Sequence, residues 1–219
     1  MKKKKQQNIL VFSAHSDDQI IGPGGTLAKY AEQGKNIFVY VFSYGEASLP
    51  HYKKNVAVQI RVNESKKADK IIGVKDTYFF GLKEGKFFDE IKKKNLLKKI
   101  KEILLEKKPE KIFTHSPSDP HPDHKAVLNA VLKALDKSRL KTDVYSFDVW
   151  NIFSFKGTNL PKLYIDITCT LDKKLKALKA HKSQKPAIFT LFWNVMVKAL
   201  IHGAYLKNSR YAERFFKIR

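Results

Sequence analysis

The stretch Ala14-His15-Ser16-Asp17-Asp18-Gln19-Ile20-Ile21-Gly22-Pro23-Gly24-Gly25 lies between two segments of different character. Before it runs Ile9-Leu10-Val11-Phe12, short, apolar and β-branched enough for a buried strand. After it, Thr26-Leu27-Ala28-Lys29-Tyr30-Ala31 reads as a helix that Gly34 stops. A histidine and two adjacent carboxylates therefore stand where a strand hands over to a helix, which in open α/β sheets is the ligand crevice. A second cluster, His115-Ser116-Pro117-Ser118-Asp119-Pro120-His121-Pro122-Asp123-His124, follows a second apolar run, Lys111-Ile112-Phe113-Thr114. Two strand ends rich in His and Asp predict one metal site assembled between them.

Outward from these loops the pattern repeats. Residues 36–42 predict a second buried strand, ending at the turn Ser43-Tyr44-Gly45-Glu46. Residues 56–72 read as a helix that carries Arg61 and Glu64 and closes at Gly73, and residues 76–81 as a short third strand. One long helix is expected over 88–107, because Leu96, Leu97, Ile100, Ile103 and Leu104 share a face opposite the lysines. After the strand at 111–114 come a helix over 126–135, a half-buried strand over 144–150 and another strand over 163–167. The rest reads as helical: 171–181, 187–201 and 211–216. Strands alternating with helices through the first 140 residues predict an α/β fold, a mostly parallel sheet with helices on both faces.

The 219 residues fit a single domain with a full core, residues 1–7 forming a basic tail. The formal net charge of +22 comes almost wholly from lysine. Such a surface attracts nucleic acid, anionic lipid or acidic substrates, or is simply a solvated lysine-rich exterior. No nucleic-acid recognition motif is present and aromatic residues are not interleaved with the lysine runs, so specific nucleic-acid binding is not expected. The single cysteine, Cys169, excludes an internal disulfide and fits a reducing cytoplasm. Lys2 to Lys5 followed by Ile9 imitates a signal peptide, but the apolar part is too short and runs straight into His15. Ala187 to Val197 is apolar and aromatic yet too short to span a bilayer. It reads first as a buried helix or a homo-oligomer contact. The alternative is a peripheral contact with an anionic membrane, with Tyr205, Lys207, Arg210 and Lys2 to Lys5 at the headgroups.

A catalytic zinc takes three protein ligands and keeps one position open for water, whose pKa it lowers toward about 7. His15 and Asp18, three residues apart at a strand end, are close enough to share one ion, and His124 supplies the third ligand. Asp17, not needed as a ligand, is left as general base. His121 points toward the same pocket as a cation or acid, and Asp123 is placed to hydrogen-bond it. Plainer readings exist: Asp17-Asp18 as an ordinary helix cap with an acidic first turn, His121 and His124 as surface histidines ahead of a helix. The glycines at 22, 24 and 25 lack G-x-G-x-x-G spacing, so no dinucleotide is inferred.

In these residues the chain resembles the PIG-L/LmbE family of zinc-dependent N-deacetylases, whose first motif is A-H-P-D-D-E and whose second ends in H-P-D-H. They stand here as Ala14-His15-Ser16-Asp17-Asp18-Gln19 and His121-Pro122-Asp123-His124. Gly22-Pro23-Gly24-Gly25, Ser43-Tyr44-Gly45-Glu46, Arg61 with Glu64, His181-Lys182-Ser183-Gln184 and Tyr211-Ala212-Glu213-Arg214-Phe215 resemble further family motifs. The resemblance implies a Rossmann-like fold, one zinc per chain and an N-acetylglucosamine-type substrate attacked by zinc-bound water. It implies His15, Asp18 and His124 as ligands, Asp17 as base, His121 oriented by Asp123 against the oxyanion, and Arg61 on the substrate. Ser16 and Gln19 depart from the family's proline and glutamate without removing a ligand or the base. Two rivals stand beside this reading, one within enzymes and one from another class. A metal-dependent phosphoesterase would need more carboxylate ligands than remain once Asp17 is the base. An anionic-surface or nucleic-acid binder with a vestigial site rests only on net charge.

Overall fold

The structure is a computed structural model that describes residues 7–149 and 159–219; Lys2 to Lys5 and Trp150 lie outside the described residues. Five strands run parallel: β1 (Asn8–Ser13), β2 (Asn36–Val41), β3 (Asp76–Phe79), β4 (Lys111–His115) and β5 (Asp143–Phe147). Two more, β6 (Lys162–Asp166) and β7 (Ala212–Lys217), complete the sheet, β7 lying antiparallel to both β5 and β6. The helices are α1 (Asp18–Ile21), α2 (Gly24–Glu32), α3 (Lys54–Ile72), α4 (Phe87–Lys93), α5 (Leu96–Lys107), α6 (Pro122–Ser138), α7 (Leu171–Ala180) and α8 (Lys185–Gly203).

The sheet order is β3-β2-β1-β4-β5-β7-β6. From β1 the chain builds outward through β2 and β3, then returns to the other side of β1 to lay down β4. Strand order therefore reverses between β1 and β4, the switch point where such sheets open a crevice at their carboxyl ends. Both His/Asp loops leave from those ends.

Side chains of β1 alternate between two apolar layers, as the pleat requires. Ile9 and Val11 pack with Val39, Ala68, Ile72 and Leu178 on one face. Leu10 and Phe12 pack with Tyr40, Ile100, Val127 and Val131 on the other. All four β1 side chains are fully buried, each worth about 1.5–3 kcal/mol of apolar burial. The expected parallel sheet with two helical layers is what forms.

Three expectations change. The helix foreseen over 88–107 is two helices, α4 and α5, because Asn95 adopts φ 47° between them. Asparagine tolerates this left-handed conformation, and the break lets Phe87 and Ile91 join the core that Leu96, Ile100 and Leu104 fill. Residues 211–216 read as helix, but Ala212–Lys217 form the strand β7. Here tertiary pairing overrides local reading: β7 fills the slot between β5 and β6, and Phe215 meets Phe113 edge-on at 4.9 Å. The strand expected to 150 ends at Phe147.

Candidate metal centre

β1 delivers Ala14 to His15 to the crevice, and the single turn of α1 folds Asp18 back beneath them. The His15 backbone N–H donates to Asp18 Oδ2 at 2.8 Å. The Asp17 side chain makes no capping bond to α1, so its carboxylate is left for other work. Across the switch point, α6 opens with Pro122 at its first turn, and its N-cap His121 accepts from the Asp123 N–H through Nδ1 at 3.2 Å. In the neutral ring that bond leaves the proton on Nε2, so His121 can donate without being protonated.

Three donor atoms converge between the loops. His15 Nδ1 lies 3.4 Å from Asp18 Oδ2 and 3.4 Å from His124 Nε2, and His124 Nε2 lies 3.6 Å from Asp18 Oδ2. Ligands of a tetrahedral zinc with bonds of about 2.0–2.1 Å stand about 3.3 Å apart. The triangle has that size, and its two nitrogens and one oxygen are a zinc donor set. Asp119 Oδ2 sits 3.0 Å from His124 Nδ1, holding the ring so that Nε2 faces the triangle. Sequence reasoning named Asp119 as part of the cluster but gave it no role. The same holds for His115, which accepts the Ala14 N–H at 2.9 Å through Nε2 and stacks on His124 at 3.8 Å.

Charge in the pocket calls for a cation. Burial disfavours a protonated His15, yet its hydrogen bonds to Asp123 and Asp18 hold its pKa well above the ordinary value. A metal would take the place of that proton. His115, fully buried beside His124, His15 and His121, is pushed well below the ordinary range, and burial with the same neighbours lowers His121 as well. Burial also works against an ionised Asp17, but the Arg61 guanidinium, followed by His181 and His15, holds its carboxyl down at about 2.

Two expected placements differ from what is found. The Asp123 carboxylate does not hydrogen-bond His121. It accepts from the Gly85 N–H at 2.8 Å and lies 3.6 Å from His15 Nε2, on the far side of the ring from the donor triangle. Arg61 is 2 % exposed; its Nη2 donates to Asp17 Oδ2 at 3.2 Å and its Nη1 lies 3.9 Å from Glu64, while Nε and Nη1 make no hydrogen bond among the described residues. Gly45 explains the turn before it. At φ 81° a side chain is strained, and a Cβ there would stand 2.7 Å from Arg61 Nε.

Other supporting motifs also acquire physical content. Glu64 accepts from Ser183 N and Oγ at 2.8 and 2.6 Å, tying the 181–184 segment to α3. His181 is thereby buried beside Asp17, its two ring nitrogens without hydrogen bonds among the described residues. Glu213 on β7 caps α2, accepting from Gly25 N at 2.9 Å and Thr26 N at 2.7 Å, and pairs with buried Lys174 at 2.6 Å. Gln19 donates to Asp69 at 3.1 Å, where a glutamate would set a second carboxylate against a buried one.

With the geometry in hand, relatives are informative. Diacetylchitobiose deacetylase of Thermococcus kodakarensis is 26% identical over 225 residues, covering 94% of this chain and 81% of that protein. The solved N,N'-diacetylchitobiose deacetylase of Pyrococcus horikoshii superposes with a TM-score of 0.77 at 22% identity, covering 96% of this chain and 83% of that one. The 4-carboxy-2-hydroxymuconate hydratase GalB of Pseudomonas putida KT2440 superposes at 0.82 and 24% identity, covering 98% and 97%. At these identities the two superpositions speak for the fold alone. The profile of PIG-L, GlcNAc-PI de-N-acetylase, matches residues 10–135, more than half of the sequence, and this chain belongs to the PIG-L family.

Proposed function

We propose that this metal-dependent N-deacetylase works as one domain with one zinc, held by His15, Asp18 and His124, and removes the acetyl group from an N-acetylglucosamine-type substrate. The carrying observation is the donor triangle, three edges of 3.4–3.6 Å, with the Asp17 carboxylate, paired to Arg61, beside it. When bound, zinc supplies Lewis acidity toward the acetamide and acidifies water.

The remaining work falls to this chain's own groups. Asp17, aligned by Arg61 and kept ionised, accepts the proton of the attacking water. His121 Nε2–H, its tautomer fixed by the Asp123 backbone N–H, donates to the carbonyl oxygen as it gains charge. The amine leaves with the proton that Asp17 collected. Asp123 acts on His15 rather than on His121, steadying the ring from behind. Arg61 serves as the positioning group for Asp17, not as a substrate clamp.

The test is acetate release from N-acetylglucosamine, diacetylchitobiose and a glycolipid carrying the same sugar, alongside metal content by elemental analysis. Wild type is expected to carry one zinc and release acetate from at least one of them. His124→Ala is expected to lose most of the metal and all measurable release. Turnover of 4-carboxy-2-hydroxymuconate instead, with no acetate from any amide, would overturn the reading. So would full zinc occupancy in His124→Ala.

A further inference from the structure

Helix α8 exposes an apolar face that nothing in the described structure covers. Phe189 and Trp193 are 71% and 62% exposed, Val197, Leu200 and Ile201 continue the stripe at about half exposure, and exposed Tyr205 lies just past the end of the helix. The spacing of Phe189, Trp193, Val197, Leu200 and Ile201 puts them on one side of the helix, while Leu191, Val195 and Ala199 face the core from the other. Contiguous exposed apolar surface of this kind marks an interaction site. Sequence reading placed this helix in a core or a subunit contact first; the structure buries only one of its faces.

The surrounding charge identifies the partner. From residue 173 to residue 212 the chain carries nine Lys and Arg and no Asp or Glu. None of these cations stands on the stripe between Phe189 and Ile201. Lys198, the one basic residue of that span, turns inward toward Asp148. Exposed Lys182 and Lys185 flank one end of the stripe, and exposed Lys207 and Arg210 the other. An apolar strip with basic ends is the pattern of a helix lying in a lipid interface, its apolar side in the acyl boundary and its cations on anionic headgroups. A second copy of this chain would set the same acid-free segment against itself. No described helix is long and apolar enough to cross a membrane.

We propose that the exposed face of α8 docks this protein on anionic lipid bilayers. The surface adjoins the crevice. Ser183, two residues before α8 begins, is fixed by Glu64, and Gln184 bonds Ser48 at 2.9 Å across the cleft rim. Docking would hold the opening of the metal centre near the bilayer plane.

Flotation of the full chain with vesicles tests this directly. Vesicles of phosphatidylcholine alone are compared with vesicles containing about one-third phosphatidylserine, at low and high salt. The expected result is recovery with the anionic vesicles only, lost at high salt as headgroup attraction is screened. The double variant Phe189→Ser, Trp193→Ser is expected to float roughly tenfold less while keeping its thermal midpoint and its hydrolysis of a soluble amide. Lys182→Glu with Lys207→Glu should weaken flotation without touching the apolar stripe. Absence of flotation with either composition would overturn the proposal. So would a wild-type dimer that the serine pair dissociates, in a protein that ignores both vesicle types. Because flotation needs no turnover, failure of the deacetylase reading would show separately, in the amide assay.

Discussion

The metal-centre loops and the C-terminal strand meet at the same end of the sheet, yet they are written in the sequence in different ways. His15, Asp17 and Asp18 fall within four residues, and His121 to His124 within four more. Their chemistry is local, so their spacing alone exposes it. Glu213 reaches Gly25 across 188 residues and Lys174 across 39, and neither contact leaves a periodicity behind. Short-range geometry is legible in a chain; long-range closure is not. The difference also divides labour: under the proposed function the loops carry the reaction, while Glu213 of β7 ties down the start of α2.

That division can be broken by experiment. Asp17→Asn should lower turnover by roughly 10²–10⁴-fold, the usual worth of a positioned base, while leaving metal content and thermal midpoint unchanged. Metal loss in that variant would make Asp17 a ligand. Glu213→Ala should do the reverse. It strands Lys174, buried and paired at 2.6 Å, together with the Gly25 and Thr26 N–H groups. Unfolding in urea should report a loss of about 3–5 kcal/mol, with turnover per folded molecule preserved. A drop in turnover at full folding would join β7 to the chemistry.

A pH scan sharpens the same boundary. Burial pushes Asp69 up to about 6, against hydrogen bonds from Gln19, Thr77 and Ser65 that pull it down. Between roughly pH 4 and 6 the folded protein therefore holds a proton that the unfolded chain has released. The Asp69 contribution to stability falls as pH rises through that window. Asp69→Asn should flatten the slope by on the order of 2 kcal/mol in unfolding free energy, and an unchanged slope would remove Asp69 from the account. The smallest effect belongs to Asp119→Ala. Losing the carboxylate behind His124 Nδ1 should weaken zinc binding by about 10–100-fold, measured by chelator competition.

Much of the centre was legible because a metal site needs few residue types at short spacing. Its supporting contacts were not. That Asp123 serves His15 instead of His121 depends on Gly85 offering its N–H from another loop. That Arg61 lies under Asp17 depends on Gly45 leaving room for its guanidinium. The parallel half of the sheet followed from alternating strands and helices. The antiparallel strand did not, because Ala212–Lys217 takes its extended form by pairing with β5 and β6, far away in the chain. The exposed side of α8 was hidden for a related reason: an apolar run tells that a helix is buried somewhere, not which of its faces is.

A single zinc serving one deacetylation centre fixes how activity must follow metal content. Protein stripped of metal and titrated with zinc, with acetate release from an N-acetylated amino sugar as the readout, tests it most directly. No release is expected from the stripped protein, followed by a linear rise that ends at one equivalent per chain. Release that survives stripping, or that begins only as a second equivalent binds, would contradict it.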